Sequence, residues 1–383
     1  MVKQMTTIDY ATLLTGDNMP TDEDLRRIFH TALAENSPRD ARRGLRVFAS
    51  GLLERGLIDL ASYTTLFGGQ AVHLLTLDQD GHFIHALDGK DATDLTRIYS
   101  RAKYGSIADI RFLADLVIER IRMELQAPDS DWRCLFEGAL AAGEQVVMIT
   151  TGWRNVPSTA NVLFAIVVEQ INIDLALLGF PTIIEVKLPR IAPPVENYAS
   201  LTAEERERVS KVQDHVIPEQ HFFRGGVHVI FGDDVLVTGA TADKVFHTTM
   251  MNGARSFRAI YPVVIDPVVA FADPATEEKL NMTDVDGKID ESIVNWLSDP
   301  DYQPILRTLR LLFEGASRGI LPRLFQLVPP GNWLKLYTAA MGNDMLRLPS
   351  CQPSLVLLKD HLTQLNILDG CGRPLRQPTI HTM

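Results

Sequence analysis

Four short, almost wholly apolar runs constrain this chain more than any other feature: residues 145–150 (QVVMIT), 182–186 (TIIEV), 227–231 (VHVIF) and 258–265 (RAIYPVVI). Stretches with apolar residues at helical spacing, 159–178 and 241–252, fall between them. Strands without a polar face are buried on both sides, which predicts an α/β fold with a parallel sheet covered by helices. Ligands of such sheets sit beyond the carboxyl ends of the strands. The segments that follow these runs are therefore where chemistry is expected.

The flanks read differently. Asp22, Glu23 and Asp24 open an acidic first turn, and Leu25, Ile28, Phe29 and Leu33 follow at helical spacing. A second helix is predicted over 45–60. Runs 71–77 and 82–87 flank Asp78-Gln79-Asp80-Gly81, the pattern of a hairpin with a Gly-bearing turn. Residues 107–125 return to helical spacing. Beyond 291 the chain is helical again, over 305–314, 321–327, 333–341 and 353–365, and the Pro- and Gly-rich residues 370–383 read as a frayed tail. The predicted layout is a mainly helical segment with a hairpin (1–130), an α/β core (131–275) and a helical C-terminal segment (276–383).

Several classes are disfavoured. A formal net charge of −11 argues against a nucleic-acid partner, though a pocket on an acidic protein can still be locally positive. No run of about 20 apolar residues stands out, so no membrane partner is expected. Residues 1–17 show no basic start followed by an apolar run, so no secretion signal is expected. Cys134, Cys351 and Cys371 are scattered and odd in number, which reads as reduced thiols in a cytoplasmic protein.

Residues 229–241 read V-I-F-G-D-D-V-L-V-T-G-A-T. A buried strand leads into Asp233-Asp234, three aliphatics follow, and Thr238-Gly239-Ala240-Thr241 opens a helix. A helix start offers unpaired N–H groups and a positive dipole end, which suit a phosphate. Gly239 and Ala240 allow close approach of the backbone, and Thr238 and Thr241 add hydroxyls. The two carboxylates are placed to accept from a pair of sugar hydroxyls, directly or through a divalent metal.

This segment resembles the 13-residue 5-phosphoribosyl-1-pyrophosphate (PRPP) motif of the type I phosphoribosyltransferases. The resemblance covers the motif and the strand-and-helix order around it, not the helical flanks. It implies a type I phosphoribosyltransferase-like core and an enzyme that moves a phosphoribosyl group to a small-molecule acceptor, releasing pyrophosphate. Asp233 and Asp234 would hold the ribose hydroxyls, with Mg directly or indirectly on the pair. Val237, Thr238, Gly239, Ala240 and Thr241 would hold the 5′-phosphate. The loop after the first core strand, Thr150, Thr151, Gly152, Trp153 and Arg154, would contact pyrophosphate, with Arg154 as its cation. Residues 187–226 match the family's long mobile loop, and Lys187 and Arg190 are its pyrophosphate candidates. Relatives commonly pair through the core, so a homodimer is implied. Where 6-oxopurine salvage enzymes carry Asp before the Thr-Gly, this chain has Val237, which argues against that acceptor class. Arg101, Lys103 and Tyr104 precede a predicted helix and are candidates for touching phosphate or stacking on an acceptor. A regulator that senses PRPP, or a partner-binding protein on a vestigial core, remains the alternative to an enzyme.

Other patterns fail. Asp284-Val285-Asp286-Gly287 resembles a calcium loop, but the first and last ligand positions fall on Met282 and Ile293. His215, His221 and His228 lack metal-ligand spacing, and neither a nucleophile elbow nor a Walker-type phosphate loop is present.

Overall fold

The computed structural model describes residues 10–15, 19–34, 39–67, 71–153, 155–189, 220–273, 275–285, 289, 291–314 and 318–375. Its strands are β1 (Val72–Leu77), β2 (Phe83–His85), β3 (Gln145–Trp153), β4 (Ile183–Pro189), β5 (Val227–Gly232), β6 (Val235–Leu236) and β7 (Ser256–Ile265). They form one seven-stranded sheet in the order β2-β1-β7-β5-β3-β4, with β6 beside β7. β2 is antiparallel to β1, and the other described pairings are parallel. The four apolar runs are thus β3, β4, β5 and β7, and the chain is α/β with a mostly parallel sheet.

Alternation along the strands explains why both faces are dry. Val146, Met148, Ile230, Ile260 and Val263 point into one buried cluster, shared with helices Ile107–Gln126 and Thr159–Leu177. Val147, Ile149, Val229, Phe231 and Tyr261 point into a second, shared with helices Asp22–Ala34, Arg39–Glu54 and Ala240–Met251. Each such aliphatic or aromatic side chain contributes roughly 1.5–3 kcal/mol by leaving water. Helix Thr159–Leu177 is long and apolar enough to cross a membrane by length and composition, a stretch the sequence reading passed over. It packs instead on β3, β4 and helix Ile107–Gln126, as a core helix of the sheet.

One expectation needs correction at the level of layout. The 71–87 hairpin does not stand apart in the N-terminal segment: β1 lies parallel to β7, from Val72 opposite Ile260 to Leu77 opposite Ile265. The sheet therefore crosses the boundary drawn at 130. The C-terminal helices surround a third core that includes Trp333, Leu336, Leu355 and Leu358, and it takes in Tyr104 and Val156 from the α/β part. The end of the chain is not all frayed, because Leu368 bridges Pro374 and the Tyr337 hydroxyl donates to the Gly372 carbonyl at 2.9 Å. Residues 376–383 lie outside the described residues.

Candidate active site at the carboxyl end of the sheet

Strands β3 and β5 are neighbours, with Thr150 opposite Gly232. That register sets the start of the predicted pyrophosphate loop directly beside the acid pair. Helix Thr159–Leu177 fixes the same corner. Ser158 and Asn161 form a capping box at its start, and the Asn161 amide donates to the Thr150 hydroxyl at 2.9 Å. Gly232 lets β5 run close under this helix, since a Cβ there would lie 2.7 Å from the Phe164 ring. Gly152 follows with φ 79. Thr151 and Trp153 complete β3, whereas Arg154 lies outside the described residues.

The acids occupy unequal environments. Asp233 is half-buried, and its backbone N–H donates to the Ile260 carbonyl at 3.2 Å. Burial, then the neighbouring Asp234 carboxylate, push the Asp233 carboxyl well above the usual carboxylate range. Asp234 is 9% exposed, more buried than Asp233. Its carboxylate accepts from the Lys103 ammonium at 2.9 Å. Lys103 is itself 7% exposed, with Glu277 at 4.0 Å and the Tyr99 ring 5.6 Å from Nζ. Burial is the largest single influence and works against the charge on Lys103, but Asp234, Tyr99 and Glu277 together outweigh it and raise the lysine well above its ordinary range.

The predicted phosphate cradle has the expected backbone. Gly239 is the N-cap of helix Ala240–Met251, in the left-handed region at φ 72 and with no side-chain cap. A Cβ at this position would meet the Phe67 ring at 2.2 Å, so only glycine fits. Val237 and Thr238 are buried, and Ala240 and Thr241 are half-buried. One turn in, Asp243 is clamped by Arg42 and Arg46 of helix Arg39–Glu54, all with side chains at most 6% exposed.

A cavity of about 450 Å³ opens on Asp234. Lys103, Tyr104, Ser158 and Thr159 line it on the sheet side, and Glu277, Glu278 and helix Leu306–Phe313 close it opposite. Arg307 makes two bonds to the Glu278 carboxylate, at 3.1 and 3.0 Å, and lies 5.5 Å over the Tyr104 ring. The C-terminal helical segment, with residues 103–104, thus supplies much of the cavity wall.

Three sequence candidates are corrected by these positions. Residues 99–103 do precede a helix, Ile107–Gln126, but they are themselves the last turns of helix Leu95–Lys103, where cations are favoured by the dipole. Arg101 points away from the cavity, onto Asp109 at 3.0 and 2.8 Å and Asp284 at 3.5 Å. Tyr104 lines the cavity but is 4% exposed, with Arg307 over one face of its ring. Lys187 lines a different cavity of about 350 Å³ with Arg111, Asn161 and Asp301. Arg190 and most of the 187–226 loop lie outside the described residues. Sequence reasoning missed Glu277, Arg307 and Arg310, although two arginines three apart on the mostly apolar 306–313 stretch were a visible signal. The Asp233–Asp234 pair does not fit direct metal coordination, because Lys103 occupies Asp234, and no group of three metal-ligating side chains occurs among the described residues. No protein-family model, curated protein or solved structure matches the chain.

Proposed function

We propose that this chain binds PRPP at the carboxyl end of its sheet and transfers the phosphoribosyl group to a small acceptor, with release of pyrophosphate. The observation that carries the reading is the register of Thr150 with Gly232, which brings two segments 82 residues apart to one corner beside a polar cavity. On this reading Asp233 and Asp234 accept from ribose hydroxyls, and the first turn of helix Ala240–Met251 takes the 5′-phosphate through its N–H groups. The β3 end and the start of helix Thr159–Leu177 face the pyrophosphate. The bond from the anomeric carbon to the pyrophosphate oxygen breaks, the oxygen keeps the electron pair, and the acceptor forms the new bond. The protein contributes orientation and fixed charge rather than a covalent intermediate. Magnesium, on the same reading, is carried by the pyrophosphate of the ligand and not by the acid pair.

Calorimetric titration with PRPP in magnesium buffer tests this. Saturable binding that Asp233→Asn weakens supports the site, and pyrophosphate release in an acceptor screen then supports the activity. Absence of binding by a folded wild-type chain would remove the reading.

A further inference from the structure

We infer that Lys103 is a resident cation of the acid pair, occupying the place between Asp234 and Glu277 that a divalent ion would otherwise take. A carboxylate cluster at a sugar-phosphate site ordinarily invites magnesium or manganese, which seek several oxygen ligands. Here the centre of the cluster is filled from within: Lys103 Nζ lies 2.9 Å from Asp234 Oδ2 and 4.0 Å from Glu277 Oε1. Its side chain is 8% exposed, those of both acids are 12% exposed, and the Tyr99 ring beneath it adds a cation–π contact.

The lysine is held in place by its main chain. Arg101 is pinned to Asp109 by two bonds, and the Tyr104 carbonyl accepts from the Thr308 hydroxyl. Gly105, at φ 89, packs on Ile305, where a Cβ would lie 3.2 Å from the isoleucine side chain. These ties come from helices Ile107–Gln126 and Leu306–Phe313, so the segment around Lys103 is fixed from two sides. An ammonium carries three donors. Asp234 accepts one, Glu277 lies at 4.0 Å, and Lys103 is among the residues that line the cavity. The ligand class that follows is an anionic sugar whose ring-side oxygens meet the ammonium while its hydroxyls meet the acids, with no metal between. This ligand assignment rests on the sugar-phosphate reading above; the cation assignment does not.

The test separates the two. Manganese(II) chloride titrated into the full chain and followed by electron paramagnetic resonance reads the cation assignment alone. Wild type is expected to bind no more manganese than Asp234→Asn, whereas Lys103→Met takes up about one further equivalent at the vacated cluster. Manganese held by wild type and released by Asp234→Asn would overturn the assignment. Ribose 5-phosphate, which lacks the metal-chelating pyrophosphate, is then titrated calorimetrically in EDTA and in magnesium. Equal affinity in both buffers for wild type, with a loss of at least about tenfold for Lys103→Met in EDTA, is the expected result. A tenfold or larger loss for wild type in EDTA, about 1.4 kcal/mol, would overturn metal-free binding. Binding in neither buffer removes the sugar-phosphate reading and leaves the manganese result to decide the role of Lys103. Should Lys103→Met fail to fold, the wild-type buffer comparison and the wild-type against Asp234→Asn manganese comparison stand without it.

Discussion

Two adjacent carboxylates of the same length sit here in opposite energetic positions, and substitution separates them. The Asp233 carboxyl lies well above its ordinary range because burial and Asp234 oppose its charge. A carboxyl raised in the fold contributes stability that is complete below its unfolded value of about 3.8 and is lost as pH rises through the folded value. At neutral pH it therefore works against folding. Asp233→Asn is expected to stabilise the chain in urea denaturation at pH 7, with the gain shrinking as pH approaches 4, while sugar-phosphate binding weakens. Asp234→Asn acts in reverse. It strips a buried ammonium of its partner, for which the cost is about 3–5 kcal/mol. A loss near zero in the same denaturation assay would show that Lys103 finds another counter-charge, with Glu277 the nearest at 4.0 Å.

At the level of elements, the proposed phosphate cradle depends on a helix that is not anchored by its own sequence alone. Helix Ala240–Met251 has no side-chain N-cap. It is fixed by Asp243, which receives Arg42 and Arg46 from a helix some 200 residues earlier. Arg42 also donates to the Leu66 carbonyl at 2.7 Å, next to the Phe67 ring that covers Gly239. The N-terminal segment thus sets the cradle's position through one buried carboxylate serving two guanidiniums. Asp243→Ala leaves both cations buried and is expected to cost about 3–5 kcal/mol in urea denaturation. Arg46→Met removes one partner, leaves Asp243 paired with Arg42, and should cost less. Equal losses would mean that the two ion pairs do not share the carboxylate as a unit. None of this was legible locally: Arg42 and Arg46 look like one face of an amphipathic helix, and their partner lies across the molecule.

For the whole molecule, what the sequence revealed and what it hid divide by the range of the interaction. Strands β3, β5 and β7 were legible because a strand buried on both faces is largely apolar, a signal held within six or so residues; β4, at the sheet edge with Ile184 exposed, was legible from its short apolar run alone. The helix start after Gly239 was legible for the same local reason, whereas its left-handed backbone at φ 72 was not read from the sequence. The Lys103–Asp234 pair spans 131 residues, and Glu277 joins it from a third segment, so no spacing rule reaches it. β1 was read as half of a free hairpin because its pairing with β7 is equally remote. That remote pairing carries a pH signature of its own. His73 on β1 lies opposite Tyr261 in the parallel ladder, and its ring nitrogen is 3.3 Å from the Thr76 hydroxyl. Burial, with a smaller push from Arg120, lowers its pKa from 6.5 to about 4. The fold resists a proton that the unfolded chain accepts near pH 6.5, so the stability from a neutral His73 is complete above that value. It is lost progressively as pH falls to about 4, by on the order of 3 kcal/mol in total. His73→Gln cannot titrate and should flatten the wild-type decline between pH 6.5 and 4 in urea denaturation. An unchanged slope would place the acid sensitivity elsewhere, in the carboxylates whose ion pairs tie the helices to the sheet.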